Sequence, residues 1–297
     1  FHGDLARYLD ECDIVIARNL EQLGVARAVL GDRPLVYECL DIHHTLVGTG
    51  PVATAVRAVE ARLLPRVDLL LTSSMAFVER HFTHTKLDCP IELVENKLLV
   101  DRVEDFPEVR QADPQGRICI GWFGMLRCRK TLEVLKGLTA AMPDGIEVLI
   151  AGKPSPAVFP DFESDIAHAG GLTYHGPYRY DDLPELYGRC HFGWSIDWFE
   201  ECLNSSWLLP NRIYESVAHG AVPIALADIE VGRWLRRHDA GLLIQSPDDI
   251  AAELAALTPQ AIAAHQARVR AVPRRDVLAD DRDCHELVQK LGKLTRA

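Results

Sequence analysis

The sequence predicts an α/β protein in two domains, each built around a parallel sheet. Three observations carry that expectation. Short apolar runs alternate with helical patterns along the chain, which is how strand–helix–strand units read. A polar stretch at 101–116, with Pro107 and Pro114 and no strong periodicity, parts the pattern in two. The 297 residues are enough for two domains of ordinary size. The expected bounds are 1–110 for the first domain, 111–275 for the second and 276–297 for a helix that closes the chain.

Taken in order, residues 13–17 (Asp-Ile-Val-Ile-Ala) form a short strand. A helix over 20–30 follows, closed by Gly31, and a strand over 34–39. Residues 52–64 read as a helix with Pro65 near its end. A third strand lies at 67–72, and Ser73 or Ser74 caps a helix over 75–82. A fourth strand at 91–94 ends the first domain. The second opens with a strand at 118–124, a helix at 131–141 and a strand at 147–151. Strands at 172–175 and 192–196 flank a helix at 183–187. Pro210 suits the first turn of a helix over 211–219, since its fixed φ fits and its missing N–H is not needed there. Gly220 ends that helix with a left-handed residue. A strand at 222–226, a helix at 229–237 and a strand at 241–244 follow. Helices at 247–257, 259–272 and 283–294 complete the chain.

Composition narrows the function classes. Hydrophobic residues make up 48% and charged residues 25%, ordinary for a globular protein. The net charge of −11, with no basic run or basic-aromatic stripe, argues against a nucleic-acid partner. Eight cysteines, at 12, 39, 89, 119, 128, 190, 202 and 284, include no C-x-x-C pair, so a structural zinc site is not expected. Several sit in apolar strands as small hydrophobes, which reads as a reduced, cytoplasmic protein. No segment reaches the ~20 apolar residues of a membrane span. The chain opens at Phe1 with no signal peptide, and the sequence reading expects the natural protein to continue upstream.

The chemistry concentrates in 203–225, LNSSWLLPNRIYESVAHGAVPIA. Asn204, Ser205 and Ser206 read as a polar loop feeding a helix. Backbone N–H groups and the helix dipole make such a junction an anion site. Arg212 stands in the first turn, where a cation opposes the dipole unless an anion sits beside it. Glu215, one turn on, can accept from sugar hydroxyls. The same pair also reads as a solvated helix face. Pro210-Asn211-Arg212-Ile213-Tyr214-Glu215, followed by Ala218-x-Gly220-x-x-Pro223, resembles the signature of the retaining GT-B glycosyltransferases of group 1 (family 4-like). The resemblance implies two Rossmann-like domains, with the N-terminal one truncated because a Gly-rich opening unit is absent. It implies that Glu215 holds a nucleotide ribose and that Asn204, Ser205 and Ser206 hold a diphosphate. One departure is that Trp207 stands where many members carry a first Glu.

Further motifs follow the same resemblance. Gly124-Met125-Leu126-Arg127-Cys128-Arg129-Lys130 resembles the family's basic loop, with Lys130 in register, Met125 in place of its Arg, and Arg127 or Arg129 supplying the missing charge. Two cations and a helix end stabilise a diphosphate leaving group without a metal. Gly152-Lys153 matches a strand-end glycine beside the nucleotide, and Tyr178 a residue beside its base. Asp197, Trp198, Glu200 and Glu201 precede the loop, where an acid could contact the transferred sugar. In the first domain, Asp41 and His43 end a strand, where α/β sheets line their clefts. Either could take a proton from an acceptor hydroxyl. Equally, Asp41 could cap the next segment and His43 be a satisfied histidine.

Together these imply transfer of a sugar from a nucleotide-diphospho-sugar to a saccharide, lipid-linked or small-molecule acceptor, in polysaccharide or glycoconjugate synthesis. The donor is a substrate; no cofactor and no metal is expected. Peripheral contact with the inner membrane face is an open alternative, although no basic amphipathic stretch argues for it. A GT-B-fold epimerase of nucleotide-sugars and an inactive nucleotide-sugar-binding scaffold are the competing readings.

Overall fold

The computed structural model describes residues 7–9, 11–201 and 203–295; Phe1 and Cys202 lie outside them. The chain forms two compact units. The first is Phe1–Asn96 with Cys202–Leu209 and Asp280–Ala297, and the second is Lys97–Glu201 with Pro210–Ala279.

The first unit holds four parallel strands in sequence order: β1 (Val15–Ala17), β2 (Leu35–Cys39), β3 (Leu69–Thr72) and β4 (Ile91–Leu93). A parallel sheet that grows in one direction sends its right-handed crossovers to one face. The side chains show it, alternating with period two. Leu35, Tyr37 and Leu70 face a core shared with Leu23, Leu30, Leu64 and Phe77. The helices concerned are α1 (Leu20–Val29), α2 (Pro51–Leu63) and α3 (Met75–Arg80). Val36, Leu69 and Leu71 face the other way, and Leu287, Leu291 and Leu294 of the closing helix Asp281–Leu294 pack on them. Their i, i+4, i+7 spacing puts the three leucines on one stripe. Local signals set the helix starts. Asn19 Oδ1 accepts from the Gln22 N–H at 2.9 Å, and Ser74 Oγ from the Ala76 N–H at 3.2 Å.

The second unit holds six parallel strands in the order β11-β10-β9-β6-β7-β8. They are β6 (Ile118–Leu126), β7 (Ile146–Pro154), β8 (Leu172–Gly176), β9 (Phe192–Trp194), β10 (Val222–Leu226) and β11 (Leu242–Ile244). The accompanying helices include α4 (Arg129–Ala141), α5 (Leu183–Gly188), α6 (Asn211–Ala218), α7 (Glu230–Arg237) and α8 (Pro259–Ala271). Trp122, Trp194, Trp234, Tyr214 and Phe192 are fully buried. β6 and β7 run longer than the sequence pattern suggests, staying paired from Ile118↔Ile146 to Leu126↔Pro154. Backbone pairing continues past glycines that the apolar pattern treats as ends.

The stretch 101–116 is not a free tether. β5 (Leu98–Leu99) already pairs with β12 (Leu278–Ala279) in the second unit. Gln111 Nε2 then donates to the carbonyls of Gly220 and Gln266, and Gln266 Nε2 donates to that of Ala112. Its polar composition serves side-chain to backbone bonds that a hydropathy pattern does not register. Cys39, Cys119, Cys128 and Cys190 are buried free thiols. No helix among the described residues is long and apolar enough to cross a membrane.

Candidate functional site

The second unit presents its candidate residues at the carboxyl ends of adjacent strands. β6, β7 and β8 each carry a glycine at positive φ there: Gly124 at 106°, Gly152 at 138° and Gly176 at 92°. Gly124 and Gly152 are paired. A Cβ on Gly152 would lie 1.8 Å from the Gly124 carbonyl oxygen, so only glycine fits. Gly176 faces open space. Gly124 and Gly176 are partly exposed with open space where a Cβ would stand, whereas Gly152 is buried against Gly124. Beside them sits an aromatic group. The Phe123 ring packs edge-on to Tyr178, with centroids 6.3 Å apart, and to Tyr187 at 4.8 Å.

Glu215 joins this group from α6. The Tyr187 hydroxyl donates to Glu215 Oε2 at 3.3 Å. Burial pushes the Glu215 carboxyl above its usual range, against the opposing pull of that hydrogen bond and of Arg212. Burial, with the Glu215 charge, pushes the Tyr178 phenol up to about 12, so it stays a neutral donor. A half-buried carboxylate held by one tyrosine keeps its other lone pairs for a ligand. Tyr187 also stacks on His219, with centroids 5.9 Å apart and planes 15° from parallel. Burial takes the His219 imidazole down to about 4, so it is neutral near pH 7.

The basic turn follows β6. The Arg127 guanidinium lies 3.4 Å from Asp197 Oδ2 and 4.8 Å from the Phe199 ring centre. Lys130 Nζ donates to both Glu201 oxygens, at 3.0 and 3.1 Å, and sits 4.7 Å from the Trp198 ring centre. Between the two arginines offered by the sequence, Arg129 is committed elsewhere. It pairs with both Asp165 oxygens at 3.1 and 3.2 Å, donates to the Val158 carbonyl and lies over Phe159. Lys153, beside Gly152, is exposed.

Other predicted residues belong to the first unit. Asp41 and His43 are exposed after β2. His43 caps the helical turn His44–Val47, its Nδ1 3.4 Å from the Thr45 N–H and 2.9 Å from Thr45 Oγ1. A pocket of about 560 Å³ opens beside them, lined by Arg18, Tyr37, Asp41, His43, Thr45 and their neighbours. Asn204, Ser205 and Ser206 do not form a loop. Residues Asn204–Trp207 make a helical turn, and α6 begins only after the extended Leu208 and Pro210. Asn204 Oδ1 accepts from the Ile42 N–H at 3.1 Å, and Asn204 and Ser205 are buried. The turn is held there because the Ser74 hydroxyl donates to the Trp207 carbonyl at 2.6 Å and Trp207 packs on the first unit's core. The structure thus gathers Gly124, Gly152, Tyr178, Arg127, Lys130, Arg212 and Glu215 on one unit, and leaves Asn204, Ser205 and Ser206 on the other with Asp41 and His43. Sequence reasoning missed Tyr187, whose only signal is the last apolar position of a short helix.

No protein-family model matches the chain. It is 39% identical over 296 residues to the succinoglycan biosynthesis protein ExoL of Rhizobium meliloti (strain 1021), covering 95% of this chain and 73% of that one. Among solved structures it resembles Anabaena HepE in complex with UDP and glucose, with a TM-score of 0.73 and 15% identity, covering 98% of this chain and 80% of that one. Sucrose-phosphate synthase from Thermosynechococcus elongatus gives a TM-score of 0.71 at 15% identity, with 99% and 77% covered. TarM from S. aureus, in complex with Fondaparinux, alpha-GlcNAc-glycerol and UDP, gives 0.67 at 12%, with 98% and 58% covered.

Proposed function

Because this chain belongs to the family of the succinoglycan biosynthesis protein ExoL and has the GT-B glycosyltransferase fold, we propose that it moves a sugar from a nucleotide-diphospho-sugar to an acceptor hydroxyl in polysaccharide or glycoconjugate synthesis. The observation that carries the reading is Glu215. It stands in the Pro-x-Arg-x-x-Glu pattern, half-buried, held by Tyr187, on the same unit as the glycine-marked ends of β6 and β8 and the cations Arg127 and Lys130. A donor with a nucleoside, a diphosphate and a sugar fits that sequence of surfaces. HepE was solved with UDP, UDP-glucose and glucose, which favours a UDP-sugar donor here.

In this reading Glu215 accepts from the ribose hydroxyls. Gly124, Gly152 and Tyr178 take the base side, while Arg127, Lys130 and Arg212 face the diphosphate. The acceptor oxygen bonds to the anomeric carbon as that carbon's bond to the diphosphate breaks. The diphosphate leaves with the electron pair, and the cations stabilise its charge. The acceptor's hydroxyl proton goes to a base, for which the sequence offers Asp41 and His43, and the acceptor is a saccharide, a lipid-linked sugar or a small molecule. The site of action is the cytoplasm.

Calorimetry of UDP, GDP and ADP tests the reading, with Glu215→Ala as control. One nucleotide bound at micromolar affinity, and weakened roughly tenfold or more by the substitution, is the expected result. That loss is what removal of one charged hydrogen-bond partner gives. No binding by any of the three would overturn it. Binding without transfer to any sugar acceptor would favour the scaffold reading.

A further inference from the structure

We propose that the arm following β9 performs two opposite tasks on the basic turn. Asp197 positions Arg127 for the donor's diphosphate, and Glu201 competes with that diphosphate for Lys130. This rests on the donor reading above and deepens it.

The two ion pairs are built differently. The Asp197 side chain is 8% exposed. It accepts from the Phe199 N–H at 2.9 Å while facing Arg127, and the Phe199 ring lies against the same guanidinium. Two neighbouring residues of one arm thus fix a planar cation in one orientation, which preorganises it for a bidentate anion. Glu201 and Lys130 are each about half exposed, at 50% and 47%. An ion pair so open to water is weak. A diphosphate carries more charge than one carboxylate and displaces it. The Trp198 ring remains against Lys130 to hold the ammonium in place when Glu201 leaves.

A second observation marks the same place. Thr131 Oγ1 in the first turn of α4, with Ser195 Oγ and Trp198 Nε1 on the arm, are buried and have no hydrogen-bond partner among the described residues. Buried polar atoms are ordinarily paired. One lies beside Lys130 and two lie on the arm that carries Asp197 and Glu201, so the segments holding the two ion pairs also hold polar atoms that the fold leaves unpaired.

The test is calorimetry of UDP and of inorganic pyrophosphate against the intact chain and three variants. Glu201→Gln should bind both about two- to fivefold tighter, the worth of an exposed ion pair. Asp197→Asn and Phe199→Leu should each bind both roughly tenfold more weakly. Phe199 is 48% exposed, so its variant folds even if Asp197→Asn does not. A merely structural arm would give the opposite sign at Glu201, with weaker binding and a lower melting temperature. Unchanged or weaker binding by Glu201→Gln overturns the competition, and unchanged binding by Phe199→Leu overturns the positioning. If UDP fails but pyrophosphate shows the sign split, the nucleotide reading falls and this inference stands. If both ligands bind without the split, this inference alone falls. Failure of both ligands to bind sinks it as well.

Discussion

At the scale of single residues, two titratable groups near the aromatic cluster, half-buried Glu215 and buried His219, shift in ways that can be read by pH. Glu215 is raised, chiefly by burial. Its folded state therefore binds a proton more readily than the unfolded chain does. Stability from that difference is present below the unfolded value and lost as pH rises through the folded one. At neutral pH the ionised carboxylate is a cost to the fold. Glu215→Gln should then keep or raise the melting temperature while nucleotide binding drops, the pattern of a functional residue that opposes stability. Nucleotide binding by the natural chain should strengthen as pH rises through the Glu215 value and then level off. His219 is lowered from 6.5 to about 4 by burial. The unfolded chain takes up its proton first as pH falls, so stability is lost between about 6.5 and 4. His219→Phe, followed by thermal melts at pH 7 and pH 5, should shrink the acid-induced loss; an unchanged difference would exclude His219 as its source.

At the scale of elements, the strand ends decide the site. Gly124 and Gly152 approach so closely that a methyl on Gly152 meets the facing carbonyl oxygen. Gly152→Ala should cost about 3 kcal/mol or more, since both the contact and the backbone conformation forbid it. Gly176→Ala meets nothing in space and suffers only the left-handed backbone, about 1–2 kcal/mol. Urea unfolding of both variants compares the two costs, and equal values would contradict the close pairing of β6 with β7. Gly124 and Gly152 were legible through the motifs that resemble the family's strand-end loops. The helix caps were legible for the same local reason, as Ser74 shows. The short turn Asn204–Trp207 was not. Asn and Ser favour turns and caps through local bonds, and what ordered them here was a distant N–H on Ile42 and a core that accepts Trp207.

At the scale of the whole molecule, the first unit is completed by segments far away in sequence. The closing helix covers one sheet face with Leu287, Leu291 and Leu294 against Val36, Leu69 and Leu71, and Lys290 pairs with Glu92 beside them. Leu287→Asp combined with Leu291→Asp should expose that face. Hydrogen exchange should then quicken at 69–72 by a hundredfold or so, equivalent to ~2.7 kcal/mol, while β6 and β7 of the second unit keep their protection. Equal quickening in both units would show that they unfold together.

The sequence by itself determined the α/β class and the order of the main strands and helices, and its motifs offered Gly124, Gly152, Arg127 or Arg129, Lys130 and Glu215 as candidates. Each of these follows from periodicity, from glycine's freedom or from a compact motif, all of them local. Only the tertiary structure decided that Arg129 is committed to Asp165, 36 positions away, while Arg127 lies against Asp197 on the arm after β9. It alone supplied Tyr187 for Glu215, assigned Asn204, Ser205 and Ser206 to the first unit, and drew 97–116 into the second. Those outcomes depend on which distant groups pack and hydrogen-bond together, and no window of sequence contains both partners.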